Sequence, residues 1–152
     1  MNLKYIDFSE VDTNDFLVLL NKQKIRNHLI QHDLFDDDSI NVWINAKLKI
    51  DSRIDCKIRA ILVNDQLKGW CGIQKEDDHY EIAIVIDDSL WGAGKSIYTE
   101  VMSWAKSLGH NEIMIHLLDS RPEYKFLRKL AKNVYTSERF GRNFITYHLL
   151  VK

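Results

Sequence analysis

Residues 79–108, HYEIAIVIDDSLWGAGKSIYTEVMSWAKSL, limit what this chain can fold into more than any other stretch. Between Tyr80 and Ile86 every residue except Glu81 and Ala83 is β-branched or aromatic, a near-continuous run that suits a strand covered on both faces. Asp87, Asp88 and Ser89 end it. After Lys95, the apolar residues Ile97, Val101, Trp104, Ala105 and Leu108 fall on one face of a helix, and Gly109 supplies its stop. A strand that runs through Gly92 and Gly94 into a helix N-terminus aims unpaired N–H groups and the positive end of the helix dipole at one point. Such a point attracts phosphate.

The remainder of the chain has to pack this unit. With 152 residues, 45% of them hydrophobic, a single domain over residues 1–152 is the simplest organisation. A net charge of −1 gives no ground for a nucleic-acid partner. The charge is uneven: residues 1–88 hold 17 acids and 11 Lys/Arg (net −6), and residues 89–152 hold 5 acids and 10 Lys/Arg (net +5). A bound anion favours the second part, although scattered solvated charge gives the same asymmetry. Cys56 and Cys71 lie fifteen apart in strand-like sequence, which indicates neither a zinc framework nor a disulfide scaffold. A reducing cytoplasm is therefore the expected compartment. The N-terminus MNLKYIDFSEVD has no apolar signal core, and no run approaches the roughly 18 apolar residues that span a bilayer, so no membrane partner is expected.

In chain order, residues 3–8 read as a first strand, and Asp12, Thr13 and Asn14 offer caps for a helix carrying Phe16, Leu17 and Leu20 that breaks near Asn21. A second helix follows the cluster Asp36, Asp37, Asp38 and Ser39, with Ile40, Trp43, Ile44 and Leu48 on one face. Residues 57–63 and 67–75 form a hairpin around Asn64, Asp65 and Gln66. The turn Glu76, Asp77, Asp78 then leads into the central strand, giving a three-stranded meander. Residues 112–118 make a strand parallel to the central one, because a helix separates the two. Ser120, Arg121, Pro122 and Glu123 read as a capping box for a helix with Tyr124, Leu127, Leu130 and Ala131 inward and Lys125, Arg128, Lys129 and Lys132 outward. Two further strands occupy residues 134–151 around Arg139, Gly141 and Arg142.

The turn SLWGAGKS shares Gly94, Lys95 and Ser96 with the end of a nucleotide-binding phosphate loop, but Ser89 stands where its first glycine belongs. Antiparallel strands also precede the turn, where a parallel nucleotide-binding core needs βα units. The order β-α-α-β-β-β-α-β-α-β-β with a glycine turn after the fourth strand instead resembles the GCN5-related N-acetyltransferase (GNAT) superfamily over nearly the whole chain. Its motif [Q/R]-x-x-G-x-[G/A] is occupied by Trp91, Gly92, Ala93, Gly94, Lys95 and Ser96, with Trp91 replacing Gln/Arg and Ser96 replacing Gly/Ala. Trp91, Gly92 and Gly94, with Thr99 and Glu100 further on, look like the ribosomal-protein-type branch.

That resemblance implies an α+β acyl-coenzyme A N-acyltransferase fold: three layers, a mixed sheet of about seven strands and four helices. It also implies a V-shaped opening between the central strand and residues 112–118 that takes acetyl-coenzyme A as co-substrate. The pantetheine arm pairs there with the backbone of Ile84, Val85 and Ile86, and amides from Gly92 to Ser96 hold the pyrophosphate. Lys125 and Lys129 are candidates for the outer phosphate, although a solvated helix face explains both. The expected reaction is N-acetylation of a small-molecule or peptide amine by direct attack in a ternary complex, without a metal, in a monomer or homodimer. A non-catalytic acyl-coenzyme A sensor on the same fold is the alternative.

Acetyl transfer needs the neutral amine, and a lysine-like amine of pKa about 10.4 is neutral in only roughly one molecule in 2,500 at pH 7, a cost of about 4.6 kcal/mol. A base is therefore expected. Glu81, a carboxylate within an apolar strand, is the candidate, and YEIAIVI resembles the histone-acetyltransferase strand that carries such a base. A strand-edge glutamate facing solvent, or paired with Arg59 or Lys75, is the competing account. Relative to the family pattern N-x-x-A-x-x-x-Y-x-x-x-G-F, Ser120 stands at the asparagine and Leu127 at the tyrosine, with Tyr124 three residues earlier. Tyr124 is the stand-in proton donor to the leaving thiolate, and a packed core tyrosine is its other reading. His28 and His32 stand four apart with no third metal ligand spaced to join them, and His116 and His148 lie in strand sequence within reach of the cleft, satisfied core histidines being their other reading. Acids 33–38 border the acceptor side of this fold and make a cationic acceptor attractive, or simply cap a helix.

Overall fold

The sheet is organised by where its turns allow the chain to reverse. The computed structural model describes residues 2–27, 33–121 and 123–152. Its strands are β1 (Leu3–Ile6), β2 (Lys57–Val63), β3 (Gln66–Glu76), β4 (His79–Ile86), β5 (Glu112–Leu118), β6 (Ala131–Arg139) and β7 (Arg142–Leu150). Its helices are α1 (Thr13–Leu20), α2 (Gln23–Arg26), α3 (Asp37–Asp51), α4 (Gly94–Ser107) and α5 (Lys125–Leu130). Asn64 and Asp65 take φ of 51° and 64°, and Asp77 takes 52°. These left-handed residues close two tight hairpins and turn β2, β3 and β4 into the expected meander. Gly141, with φ of 72°, and Phe140, with φ of 52°, do the same between β6 and β7.

The seven strands lie in the order β1-β2-β3-β4-β5-β7-β6. β4 and β5 are the parallel pair and the remaining neighbours are antiparallel, which is the mixed α+β architecture the sequence implied. One face of the sheet packs on α4 through Ile82, Ile86, Ile97, Val101, Ile113 and Ile115. The other packs on α1 and α3 through Phe16, Leu20, Ile40, Ile44, Trp70 and Val85. Side chains alternate along β4, so Ile82, Ile84 and Ile86 serve the α4 layer while Ala83 and Val85 serve the α1/α3 layer.

Asp12 caps α1 by accepting from the Asn14 N–H, and Asp36 caps α3 in a reciprocal box with Ser39. The structure departs from the sequence reading in three places. β1 ends at Ile6, because Asp7 caps a 3₁₀ turn over Phe8–Glu10. A one-turn helix, α2, makes five helices among the described residues where four were expected. The last helix is cut to six residues: Tyr124 stands at its N-cap with no side-chain cap bond, so the Ser120–Glu123 box is not made, and Glu123 pairs with Arg128 instead. Ala131 and Lys132 belong to β6, and Leu130 is 58% exposed. Pairing of β6 with β7 across Ala131 and Leu149 takes these residues from the helix. Pro122, and the pair His28 and His32, lie outside the described residues.

Candidate active site

β4 and β5 share a single parallel rung, Glu81 opposite Met114, and then separate. The separation opens a wedge. On the α4 side, Ile84, Ile115, Leu117, Gly94, Tyr98 and Tyr124 line a small apolar cavity. On the α1/α3 side a cavity of ≈ 470 Å³ reaches from Trp43, Lys47 and Trp70 past Glu76 and Glu81 to His116, Arg121 and Arg139. Ile84 and Arg121 line both, and both also border a third hollow at the mouth beside Trp91 and Lys24.

The backbone of β4 is divided by strand alternation. The Asp87 N–H bonds the Lys68 carbonyl at 2.7 Å, and a Cβ placed on Gly69 would stand 2.5 Å from the Val85 carbonyl oxygen, so the peptide groups of Val85 and Asp87 face β3. Those of Ile84 and Ile86 therefore face the open side. Of the three residues the resemblance assigned to the pantetheine arm, Ile84 and Ile86 turn their backbone groups to the open side and Val85 does not.

The glycine turn is also more structured than a bare loop. Asp88–Ala93 form a 3₁₀ helix capped by Asp87, with the Leu90 N–H on the Asp87 carbonyl at 2.9 Å, which engages amides of this stretch in i→i+3 bonds. α4 starts directly from this turn, with Gly94 as the C-cap of the 3₁₀ helix and Ala93, which makes no side-chain cap bond, as the N-cap of α4, so the positive end of the α4 dipole lies at Gly94, Lys95 and Ser96. The stretch Gly92 to Ser96, expected to hold an anion, thus spans the end of the 3₁₀ helix and the start of α4. Gly94 packs closely on the opposite wall: a Cβ there would stand 3.3 Å from the Tyr124 ring, which would have to shift by a few tenths of an ångström. Trp91 is 45% exposed at the mouth, and Ser120 and Lys125 are exposed beyond β5.

Asp87 holds this end of β4. Burial pushes its carboxyl up, but the Ser89 hydroxyl at 2.5 Å and the Lys22 ammonium at 3.0 Å overcome that and bring it down to about 2. Because the folded value lies below the ordinary 3.8, ionised Asp87 stabilises the fold above pH 4, and this is lost as pH falls toward 2. Asp87→Ala is expected to cost about 2 kcal/mol at pH 7 and almost nothing near pH 2. Urea unfolding of both proteins at the two pH values measures it; a pH-independent cost would remove the ion pair as its source.

Glu81 faces the larger cavity within a continuous polar relay. Lys47 Nζ donates to Gln74 Oε1 at 2.9 Å, and Gln74 Nε2 donates to Glu81 Oε1 at 2.7 Å. Neither Arg59 nor Lys75 is its partner, since Arg59 pairs with Asp51 and Lys75 lies over the Tyr80 ring. Burial, and then the neighbouring Glu76 carboxyl, push Glu81 up to about 7 against the pull of Gln74. Glu76 is held by Arg139. His116 Nε2 lies 3.9 Å from Glu81 and 2.9 Å from His79 Nε2, while His116 Nδ1 meets Thr146 Oγ1 at 2.8 Å. Burial, with Arg139 and His79 nearby, lowers His116 to about 4 and keeps it neutral.

Among the described residues, Glu76, His79 and His116 also form a set whose ligand atoms lie within 4.8 Å of one another. Their hydrogen bonds are already met by Arg139, by each other and by Thr146. His148 pairs with Glu112 instead. Tyr124 and the buried Leu127 line the cavity on the opposite side of the sheet from Glu81. The acids near residue 36 do not line the large cavity, because Asp36 caps α3 and Asp37 and Asp38 are exposed in its first turn.

No family model and no curated protein matches this sequence. Solved structures do. An acetyltransferase of the GNAT family from Streptococcus pneumoniae superposes with TM-score 0.71 at 14% identity, covering 99% of each chain. A ribosomal-protein-alanine N-acetyltransferase from Brucella melitensis gives 0.71 at 11% identity, again over 99% of each. The yncA protein of Salmonella typhimurium, solved with its cofactor acetyl-CoA, gives 0.69 at 12% identity over 100% of this chain and 94% of that one. The fold of this chain is that of the GNAT acetyltransferases.

Proposed function

We propose that this chain, built on the GNAT fold, is an acetyl-coenzyme A-dependent N-acetyltransferase that acetylates a primary amine by direct attack within a ternary complex. The observation that carries the reading is the wedge left when β4 and β5 part after their one rung, with the N-terminus of α4 at one end and a carboxylate of raised pKa at the other. The residues fit acetyl-coenzyme A as substrate. The outward peptide groups of Ile84 and Ile86 take the pantetheine arm as an added strand. The first-turn amides of Gly94, Lys95 and Ser96 take the diphosphate, with Trp91 beside it and Lys125 and Ser120 on the outer side.

Glu81 receives the proton of the incoming ammonium, and with a pKa of about 7 its ionised form is available near neutral pH without being so acidic that it refuses the proton. The freed nitrogen attacks the thioester carbonyl carbon, the C–S bond breaks, and the electron pair leaves on sulfur. Tyr124, which lines the small cavity on the α4 side, gives a proton to that thiolate and is reprotonated as the nitrogen sheds its second proton. The relay from Lys47 through Gln74 to Glu81 favours catalysis over simple acyl-coenzyme A binding, which has no use for a base.

Acetyl-coenzyme A at about 100 times its Kd is expected to stabilise the chain by roughly 2.7 kcal/mol, with ATP and magnesium giving no shift, and to release free thiol once an amine is supplied. Stabilisation without thiol release across a broad amine panel would reduce the protein to a binding module. Stabilisation by ATP alone would overturn the assignment.

A further inference from the structure

The wall of the large cavity carries more positive charge than it can pair. Arg139 is matched by Glu76. Lys47 is not matched: its ammonium donates to a neutral amide, Gln74, and rests 4.5 Å and 5.7 Å from the Trp70 and Trp43 rings. Among the described residues no carboxylate lies within ion-pair distance of it. Arg121 borders all three hollows around the wedge, and among the described residues its guanidinium makes no hydrogen bond or ion pair. Two unpaired cations thus share the cavity with Glu81, the carboxylate among its described lining residues that no Lys or Arg pairs. A cation withdrawn from water without an anion is costly, and burial accordingly draws Lys47 down to about 8. A small ligand that brings its own negative group relieves that cost.

Resting on the acetyltransferase reading, we propose that the acceptor is a free amino acid or close analogue with a large apolar or aromatic side chain. Its amine meets Glu81, its carboxylate lies between Lys47 and Arg121, and its side chain lies against Trp43 and Trp70. The cavity of ≈ 470 Å³ falls at the lower end of small-molecule sites, about 300–1,000 Å³, and suits a molecule of that size. The site is matched to a zwitterion: a plain cationic amine leaves Lys47 and Arg121 unanswered. The step balances. The protonated amine gives one proton to Glu81, the N–C bond of the amide forms, the C–S bond breaks, and coenzyme A leaves as the thiol with one net proton released to solvent.

Matched pairs that differ only in the carboxylate test this without any variant: phenylalanine against phenethylamine, tryptophan against tryptamine, and methionine against 3-(methylthio)propylamine, each with acetyl-coenzyme A and thiol release as readout. The amino acid of at least one pair is expected to show kcat/KM about 10- to 100-fold above its amine, as charged hydrogen bonds worth about 1.5–3 kcal/mol imply. Lys47→Met is expected to raise KM for that amino acid with a smaller change in kcat, and so to collapse the preference. Equal use of acids and amines, or preference for the amines, overturns the inference and leaves the acetyltransferase reading intact. Thiol release from neither class overturns the inference; the acetyltransferase reading falls with it only when the broad amine panel also releases no thiol while acetyl-coenzyme A still binds.

Discussion

Glu81→Gln is expected to lower kcat by about 10²- to 10⁴-fold, the usual contribution of a positioned general base, while acetyl-coenzyme A affinity stays unchanged. Glutamine keeps the shape of the side chain and still accepts the Gln74 amide, so the loss isolates the proton transfer. The wild-type kcat/KM is expected to rise with pH through about 7, where the Glu81 carboxyl ionises, and the variant should lose that limb. Stability should move the other way. The folded-state pKa of Glu81 lies above its ordinary 4.5, so between these values the native state holds a proton that the unfolded chain releases, and the wild type loses stability as pH rises across this window. The variant has no such group and is expected to be the more stable protein above pH 7, with the gap closing below about pH 5. Slower turnover together with higher stability is the mark of a group kept for chemistry. If activity is unchanged, or falls together with stability, Glu81 is a structural residue and the base lies elsewhere.

The same residue shows how far the sequence could be read. Glu81 stands out because it interrupts an apolar strand, and its nearest partner was within reach of local reasoning. A two-residue turn at Asp77 and Asp78 puts Glu76 opposite His79 and so Gln74 opposite Glu81. Once the hairpin is drawn, a polar pair inside the sheet follows from pairing alone. His116 was legible only as a strand histidine able to reach the cleft, and its partners were hidden because the cluster is assembled across long separations. His116 reaches Glu81 through the offset of a parallel pair with one rung, and Arg139 reaches Glu76 through a hairpin folded so that β7 lies between β5 and β6. Neither offset is encoded in any short window. Lys47 was masked by its helix, where a lysine normally reads as solvated surface.

The error over residues 120–132 has a different cause. Ser120 and Glu123 fit a capping box, and Tyr124, Leu127, Leu130 and Ala131 are spaced for an apolar helix face, so local preference and periodicity agreed on a longer helix. What they could not register is the edge of β7, which pairs with Ala131 and the residues after it. Ladder bonds made across the sheet outweigh a helix propensity worth tenths of a kcal/mol per residue. The outcome serves the site: a short α5 still places Tyr124 and Leu127 on the wedge, while the strand that replaces its second half carries Arg139 to Glu76.

Gly69→Ala is expected to cost about 3 kcal/mol, the upper end of ordinary overpacking penalties, which corresponds to a fall in Tm of roughly 6–12 °C in a chain of this size. The added Cβ would stand 2.5 Å from the Val85 carbonyl oxygen and 3.0 Å from Ile86 Cα, and those atoms are backbone, so β4 itself must give way. The displaced stretch carries the outward peptide groups of Ile84 and Ile86 on which the pantetheine arm is proposed to pair, and acetyl-coenzyme A affinity should fall with stability. Gly92→Ala separates the two effects. Nothing lies within 4 Å of a Cβ at that position, so its stability should change by less than about 0.5 kcal/mol. If the diphosphate approaches this turn closely, the methyl group should nevertheless weaken acetyl-coenzyme A binding about tenfold, or about 1.4 kcal/mol. Thermal unfolding and titration calorimetry on both variants decide the matter. Undiminished affinity in Gly92→Ala would move the diphosphate away from the turn and onto the α4 amides alone, and undiminished affinity in a folded Gly69→Ala would remove the end of β4 from the binding surface.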